Sequence, residues 1–411
     1  MAMSQLPIYG VQDEIVAALR AGPYVIVEAP TGSGKSTQVP QMLLDSGFAA
    51  DGRIVVLQPR RIAARMLARR VAEERGSVLG REVGYQVRFD NRSCAATRIK
   101  FETDGIILRE LQGDPLLRDV AVIVFDEFHE RHLYSDIMLG LAKVLQAEAR
   151  PDLKLVVMSA TLEAEALVDY FGACPVVKTE GRTFPVSMRY LAPKASVAKL
   201  GPWDLVAREL PGVLRDQAEG DVLIFMPGGY EIRRTIETVR RLPCARDCLV
   251  VPLYGDLSPA EQDRAVGPAA QRKIIVSTNV AETSLTIDGV TVVVDSGLVR
   301  RARFDVRRGI NTLLVEKHSQ ASAAQRAGRA GRTAPGVCLR LWSEREHAKR
   351  EAHDLPELLR VDLSETLLQL KRTGIAALAE FPWVTPPPAN AVDRAVALLQ
   401  DLGALDADED V

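Results

Sequence analysis

Thr31-Gly32-Ser33-Gly34-Lys35-Ser36-Thr37 follows Glu28-Ala29-Pro30, directly behind the apolar run Tyr24-Val25-Ile26-Val27. Glycines let a backbone curl until several N–H groups face one anion, and a helix that follows presents its positive end to the same point. The segment therefore reads as a strand turning into a phosphate-binding loop for a nucleoside triphosphate. Lys35 would lie along the β and γ phosphates, and Ser36 would hold Mg2+ through its hydroxyl. Ala29 stands where the pattern has its first glycine, a position that needs only a small residue if its φ is negative. A Gly/Ser turn alone is an ordinary loop; Gly34-Lys35-Ser36 behind a strand is far more specific.

A second constellation supplies acids. Val122-Ile123-Val124-Phe125 ends in Asp126-Glu127-Phe128-His129, an apolar strand delivering two carboxylates at its C-terminal edge, where ligands bind in open α/β sheets. Asp126 suits the metal, and Glu127 suits a metal-side role or the orientation and deprotonation of an attacking water. Triphosphate hydrolysis also needs positive charge on the transferring phosphoryl group, commonly from an arginine outside the loop. Gln325-Arg326-Ala327-Gly328-Arg329-Ala330-Gly331-Arg332 places arginines at three-residue spacing, able to line one side of a helical turn.

These residues need a scaffold, and its outline is visible. Short β-branched runs alternate with helical patterns, the signature of parallel sheets covered by helices on both faces. The expected strands are residues 24–27, 54–57, 120–125 and 153–158, then a second set at 222–225, 274–277, 290–294 and 337–341. The fold class is therefore α/β with two tandem lobes. Pro185, in a stretch with few helix signals, marks the lobe boundary. After Trp342 the strands give way to helices, 363–370 and 391–402 among them. The expected domains are 1–184, 185–345 and a small, mostly helical, winged-helix-like module over 346–411. Residues 297–315 read as a β-hairpin turning near Arg307 to Gly309, either an ordinary surface hairpin or a nucleic-acid contact.

The 411 residues exceed one ordinary core, and 47% hydrophobic with 26% charged residues is a soluble globular balance. A net charge of −2 makes no general case for a polyanion partner. Local clusters do better: Arg60, Arg61, Arg65, Arg69 and Arg70 form one, and Arg300, Arg301, Arg303, Arg307 and Arg308 another. No apolar stretch is long enough to span a bilayer, and Asp13 and Glu14 stand where a signal peptide would be apolar. A cytoplasmic protein with no membrane partner is expected. Its five cysteines are scattered and odd in number, which fits reduced thiols, and Cys244 and Cys248 lack a second ligand pair.

Taken together, Gly32 to Ser36, Asp126 to His129, Ser159-Ala160-Thr161 and Gln325 to Arg332 resemble motifs I, II, III and VI of superfamily 2 helicases of the DEAH-box type. Gln58 to Ala64 resembles motif Ia, Thr103 to Glu110 motif Ib and Ser277 to Gly289 motif V. Gly181 to Val186 and Pro252-Leu253-Tyr254-Gly255 are also typical of DEAH proteins. Phe128, with Asp126 to Arg131 reading DEFHER and with Met226-Pro227-Gly228, is most similar to the bacterial HrpB-type branch. The resemblance covers about residues 10 to 405.

The resemblance implies an ATP-dependent RNA helicase, 3′-to-5′ and monomeric, with two RecA-like lobes and single-stranded RNA crossing both. It implies that Gln325 helps place the water, that Arg329 and Arg332 act as arginine fingers, and that Asp288 contacts the nucleotide. His129, Ser159 and Thr161 would couple hydrolysis to movement. RNA contacts carry over to Arg60, Arg61, Arg88, Phe89, Thr103, Thr278 and Asn279, most of them to phosphate or ribose, so little sequence is read and only local cation density is needed. In such proteins the adenine is sandwiched between an arginine, here Arg70, and an aromatic. Val266 stands at that second place and stacks poorly, so other nucleoside triphosphates stay open. The chain ends at Val411, before the helical bundle and OB-fold of longer relatives, which leads to an expectation that ATPase activity outlasts processive unwinding.

Three rivals stay open on the sequence. A P-loop kinase or transferase would need an acceptor pocket and not the Gln325 to Arg332 run. A non-enzymatic RNA-binding scaffold would not need Lys35, Asp126, Glu127 and Arg332 intact. A DNA translocase of the same fold is not separated from an RNA helicase. Activating proteins cannot be read from the sequence.

Overall fold

The computed structural model of the chain describes residues 6–160, 164–172, 174–181, 184–192, 200–283, 285, 287–375, 378 and 380–406. It divides into two compact units. The first comprises residues 1–181, 302–312 and 355–411, and the second 182–301 and 313–354.

In the first unit the strands are β1 (Tyr24–Glu28), β2 (Arg53–Leu57), β3 (Val83–Val87), β4 (Asp90–Arg92), β5 (Ile99–Glu102), β6 (Val120–Phe125), β7 (Lys154–Ser159) and β8 (Val176–Lys178). They lie in the order β4-β3-β5-β2-β6-β7-β1-β8, and every pair is parallel except β3 with β4. Strands buried on both faces read as unbroken apolar runs. Val25, Ile26 and Val27 are within 1% of full burial, and Ile54, Val55, Val56, Val122, Ile123 and Val124 are fully buried. The order β6-β7-β1 places three loop origins side by side at the C-terminal edge: Asp126 after β6, Ala160 after β7 and Ala29 after β1. Register fixes them, with Glu28 opposite Ser159 and Phe125 opposite Val157.

The C-terminal residues of this unit complete the same core. Helices Ser364–Arg372 and Ala389–Asp401 contribute Leu367, Leu370, Ala395 and Leu399, and Phe381 joins them against Ile137, Leu141 and Phe171. Gly140 leaves room for the Phe381 ring, which a Cβ there would strike at 2.3 Å.

The second unit holds β9 (Val186–Tyr190), β10 (Asp221–Phe225), β11 (Leu249–Leu253), β12 (Lys273–Ser277), β13 (Val290–Asp295) and, after the hairpin strands β14 (Leu298–Asp305) and β15 (Ile310–Lys317), β16 (Gly336–Arg340). Its parallel sheet runs β11-β12-β10-β13-β16-β9. The two lobes of parallel sheet expected from the sequence are therefore present. The hairpin tip belongs to the first unit: Phe304 N–H donates to the Arg360 carbonyl (2.7 Å), and Arg360 donates to the Ala302 carbonyl (2.8 Å). Among the described residues no helix is long and apolar enough to cross a membrane.

Candidate nucleotide and nucleic-acid sites

The loop after β1 takes its shape from Gly32 (φ 88°) and Gly34 (φ 92°), a backbone region that side chains with a Cβ resist. Gly34 caps the helix Lys35–Asp45, so the first N–H groups of that helix point into the loop. A short turn, Pro7–Val11, clamps it from outside through Ile8 N–H to the Ser33 carbonyl (3.2 Å). Thr37 Oγ1 donates back to the Gly34 carbonyl (3.2 Å). Thr31 borders the same turn.

Lys35 is 2% exposed, and its Nζ lies 3.5 Å from Glu127 Oε2. Asp126 Oδ1 accepts the Glu127 N–H at 2.9 Å, and Asp126 Oδ2 accepts from Gln58 Nε2. Burial, and then the Glu127 charge, push the Asp126 carboxyl up to about 6, against the pull of Lys35 and of hydrogen bonds from Ser36 and Gln58. Two buried carboxylates thus share one lysine.

A triphosphate with Mg2+ fits this donor set. Ser33 Oγ is buried in the loop without a hydrogen-bond partner, and Asp126, raised by burial and then by the Glu127 charge, would be relieved by a cation beside it. Among the described residues no three His, Cys, Asp or Glu side chains gather into a metal cage. A cation here would rest on Asp126, Ser36 and the phosphates, the usual manner of Mg2+.

Glu127 (φ 52°) and Arg131 (φ 48°) bracket the turn Phe128–Glu130 in the left-handed region, a strain on the order of 1–2 kcal/mol each. Phe128 anchors the turn, edge-on to Phe125 at 6.2 Å and 2% exposed. His129 Nδ1 accepts the Ala160 N–H (3.3 Å) and stands 3.7 Å from Glu127 Oε2. With that nitrogen an acceptor, His129 links the β6 and β7 loops without donating through it to Glu127. Ser159 is buried next to it; Thr161 lies outside the described residues.

Several residues the sequence reading passed over hold this arrangement. Tyr9 donates to Gln38 Oε1 (2.7 Å), and Gln38 and Gln41 hold Glu74 (2.8 and 2.9 Å). Glu74 in turn pairs with Arg70 at 2.6 Å, leaving the Arg70 side chain 64% exposed, as stacking on a base requires. Only Gln38 and Gln41, about one turn apart on the helix Lys35–Asp45, hinted at the network.

Three of the expected RNA-contact residues converge. Arg61, Arg88 and Thr103 line one groove of about 630 Å3, joined by Arg109, Gln369 and Arg372. The last two come from the helix Ser364–Arg372, whose part no motif announced. Phe89, beside the groove, has φ 69° and is 91% exposed, with the Arg88 guanidinium 4.8 Å above its ring. Arg60 differs from its neighbours: it pairs with Glu130 at 2.6 Å, and Glu130 reaches His132 at 2.8 Å, which meets Glu357 at 3.3 Å. Burial alone would lower the His132 pKa, but its hydrogen bonds to the Glu130 and Glu357 carboxylates, which accept from the ring, raise it to about 10.

In the second unit the arginine run splits by role. Gln320–Gly328 is a helix that tightens into a 3-10 turn over Arg329–Gly331. Arg326 is 1% exposed, pairs with Glu282 (2.8 Å) and Asp295 (2.9 Å), and lies 4.9 Å over the Phe225 ring. Burial would raise Asp295, but His318 and Arg326 hold it well below the usual carboxylate range. Arg329, 2% exposed, donates to the carbonyls of Glu282 and Leu285, and Arg332 donates to Leu285 at 3.4 Å. Gln325 and Arg332 are half-buried and Asp288 is exposed in a turn. Thr278 Oγ1 accepts the Val280 N–H (3.4 Å), with Asn279 opening that short turn.

Residues 9–169 match the DEAD/DEAH box helicase family, and residues 205–334 match the helicase conserved C-terminal domain. The chain is 43% identical to the ATP-dependent RNA helicase HrpB of Escherichia coli, over 99% of this chain and 50% of that protein. It is 41% identical to the probable ATP-dependent RNA helicase DHX35 of Homo sapiens, over 98% of this chain and 60% of that protein. A crystal structure of Escherichia coli DEAH/RHA helicase HrpB superposes with a TM-score of 0.92 at 42% identity, covering 99% of this chain and 52% of that one. The chain thus spans about half to three-fifths of the length of these relatives.

Proposed function

This chain belongs to the DEAD/DEAH box helicases, and on that premise we propose that it hydrolyses ATP to move along or remodel single-stranded RNA. One observation carries the reading. Glu127 is held on a strained, buried turn beside Asp126 and 3.5 Å from the phosphate-loop lysine, the placement of a base that takes a proton from water next to a bound phosphate.

In this reading the loop N–H groups from Thr31 to Thr37, with Lys35, bind and orient the phosphates. Asp126 and Ser36 hold Mg2+, which when bound supplies positive charge to the phosphate oxygens. Glu127 orients the water and accepts its proton, Gln325 helps place it, and Arg329 and Arg332 offset the charge that develops on the γ-phosphoryl group. Arg70 stacks on the base and Asp288 contacts the nucleotide. His129, Ser159 and Thr161 couple the site to movement. The groove of Arg61, Arg88 and Thr103 grips the strand with Arg60, Phe89, Thr278 and Asn279. We further propose 3′-to-5′ movement, a cytoplasmic monomer, and a winged-helix-like module over residues 346–411.

Two measurements test it. Glu127→Gln should lower ATP turnover roughly 10³-fold while nucleotide affinity changes little; turnover at the unaltered rate removes Glu127 as the base. Turnover measured alone, with single-stranded RNA and with single-stranded DNA should rise with RNA. A rise with DNA only reassigns the chain to a DNA translocase, and no rise with either disfavours a helicase.

A further inference from the structure

A cavity of about 490 Å3 lies on the second unit, against the outer side of β11. Its wall carries Arg240 and Arg241 after the helix Gly229–Val239, Arg246 before β11, and Arg264 from the helix Pro259–Val266. Nothing in the proposed nucleotide chemistry uses it.

Its charge is uncompensated. Among the described residues none of these four arginines forms an ion pair. The one lining carboxylate, Glu261, is turned to the Ser258 N–H (3.0 Å) and Ser258 Oγ (2.7 Å) at the start of its helix. Four arginines therefore line the cavity with one engaged carboxylate, Arg240 also donating to the Val250 carbonyl. All four side chains are exposed at the rim of the hollow, where together they focus a positive potential that draws an anion in.

The strand edge narrows the ligand class. Register with β12 turns the backbone groups of Leu249, Val251 and Leu253 inward: Leu249 N–H donates to the Arg272 carbonyl (2.9 Å), and Thr278 N–H donates to Leu253 (3.2 Å). Val250 and Pro252 face the cavity. Pro252 has no N–H, and the Val250 carbonyl already accepts from Arg240 Nη2 at 3.1 Å. An added peptide strand would find one donor, one blocked acceptor and only the Pro252 carbonyl beside them, so strand addition is disfavoured. What remains, guanidinium forks with a single backbone N–H, suits a compact multivalent oxyanion.

We propose that this cavity is a second anion site, separate from the phosphate loop, which binds a phosphate-bearing ligand. The ligand is either a small polyphosphate compound or the backbone of a nucleic acid.

Inorganic tripolyphosphate is the probe, titrated calorimetrically into the full chain carrying Lys35→Ala so that the loop contributes little. Adding Arg241→Glu and Arg246→Glu should weaken binding roughly tenfold or more, and Arg241→Lys with Arg246→Lys should retain most of it. In the chain with Lys35 intact, the same glutamate pair should leave unstimulated ATP turnover within about twofold and the melting temperature unmoved. Should the pair disturb folding, Arg241→Ala alone gives the same reading with a smaller loss. A short oligouridylate separates the sources. If it displaces tripolyphosphate and loses affinity in the glutamate variant, the ligand is nucleic-acid backbone; if it does not displace it, the ligand is a small phosphate compound. Unchanged tripolyphosphate affinity in the variant overturns the proposal, as does binding of a short polyglutamate peptide in place of tripolyphosphate.

Discussion

Two buried charge clusters sit at the ends of two parallel sheets, and they are balanced in opposite ways. After β6, Asp126 and Glu127 share a single lysine, and the Asp126 carboxyl is raised to about 6 by burial and by its neighbour. After β13, Asp295 is surrounded by Arg326, His318 and the Gly297 N–H, which hold its carboxyl far below the usual range. The first cluster sets two acids close to Lys35, an arrangement suited to receive a cation. The second is neutralised from within the protein, and it holds the helix that leads into the arginine turn. Carboxylates at similar depth are thus raised in one unit and held ionised by neighbouring cations in the other.

The largest expected effect separates two arginines of one run. Arg326→Ala leaves Asp295 and Glu282 buried without their partner and should destabilise the protein by about 3–5 kcal/mol. Arg332→Ala should leave stability within about 0.5 kcal/mol and instead cut ATP turnover roughly 10³-fold. Urea unfolding and a phosphate-release assay read the two quantities. Equal destabilisation by both would erase the distinction between a structural and a catalytic arginine.

Ser33 probes the first cluster. Its hydroxyl is buried without a hydrogen-bond partner, so Ser33→Ala removes nothing from the free protein and should not lower its stability. Nucleotide affinity should fall roughly tenfold through loss of a hydrogen bond to a charged group. A destabilised variant with unchanged affinity would mean the loop is not built around an anion.

The legible part of the molecule was that in which chemistry and burial agree. The apolar runs of β1, β2, β6, β7, β10, β12, β13 and β16 came out to within a residue or two, because strands covered on both faces hold little else. β5 was missed: it carries Lys100 and Glu102, buried and paired at 2.7 Å, which reads as a polar stretch in sequence. β11 was obscured by Pro252, tolerable only because the strand lies at a sheet edge. The loop, the acids and the arginine run were visible through their spacing. That Arg326 is sealed inside while Arg332 is half-buried could not be read, since it depends on Asp295 and Glu282, distant in sequence. The joining of Arg61, Arg88 and Thr103 to Gln369 and Arg372 is likewise a consequence of where the helix Ser364–Arg372 packs.

The smallest effect tests the comparison by its sign. The Asp126 carboxyl, ordinarily near 3.8, titrates near 6 in the folded protein, so the folded state holds that proton more tightly than the unfolded chain. The associated penalty is absent below about pH 4, grows between pH 4 and 6, and is complete above. In metal-free, nucleotide-free solution Asp126→Asn should therefore match the parent near pH 4 and exceed it by on the order of 1–2 kcal/mol near pH 8. Asp295 behaves oppositely: its carboxyl is lowered, so its stabilisation is present above the unfolded value and is lost only in strong acid. Asp295→Asn should be less stable than the parent near pH 8. Urea unfolding of both variants at the two pH values decides the matter. If Asp126→Asn is as destabilising as Asp295→Asn near pH 8, the acids after β6 are a satisfied structural pair and not a site awaiting a cation.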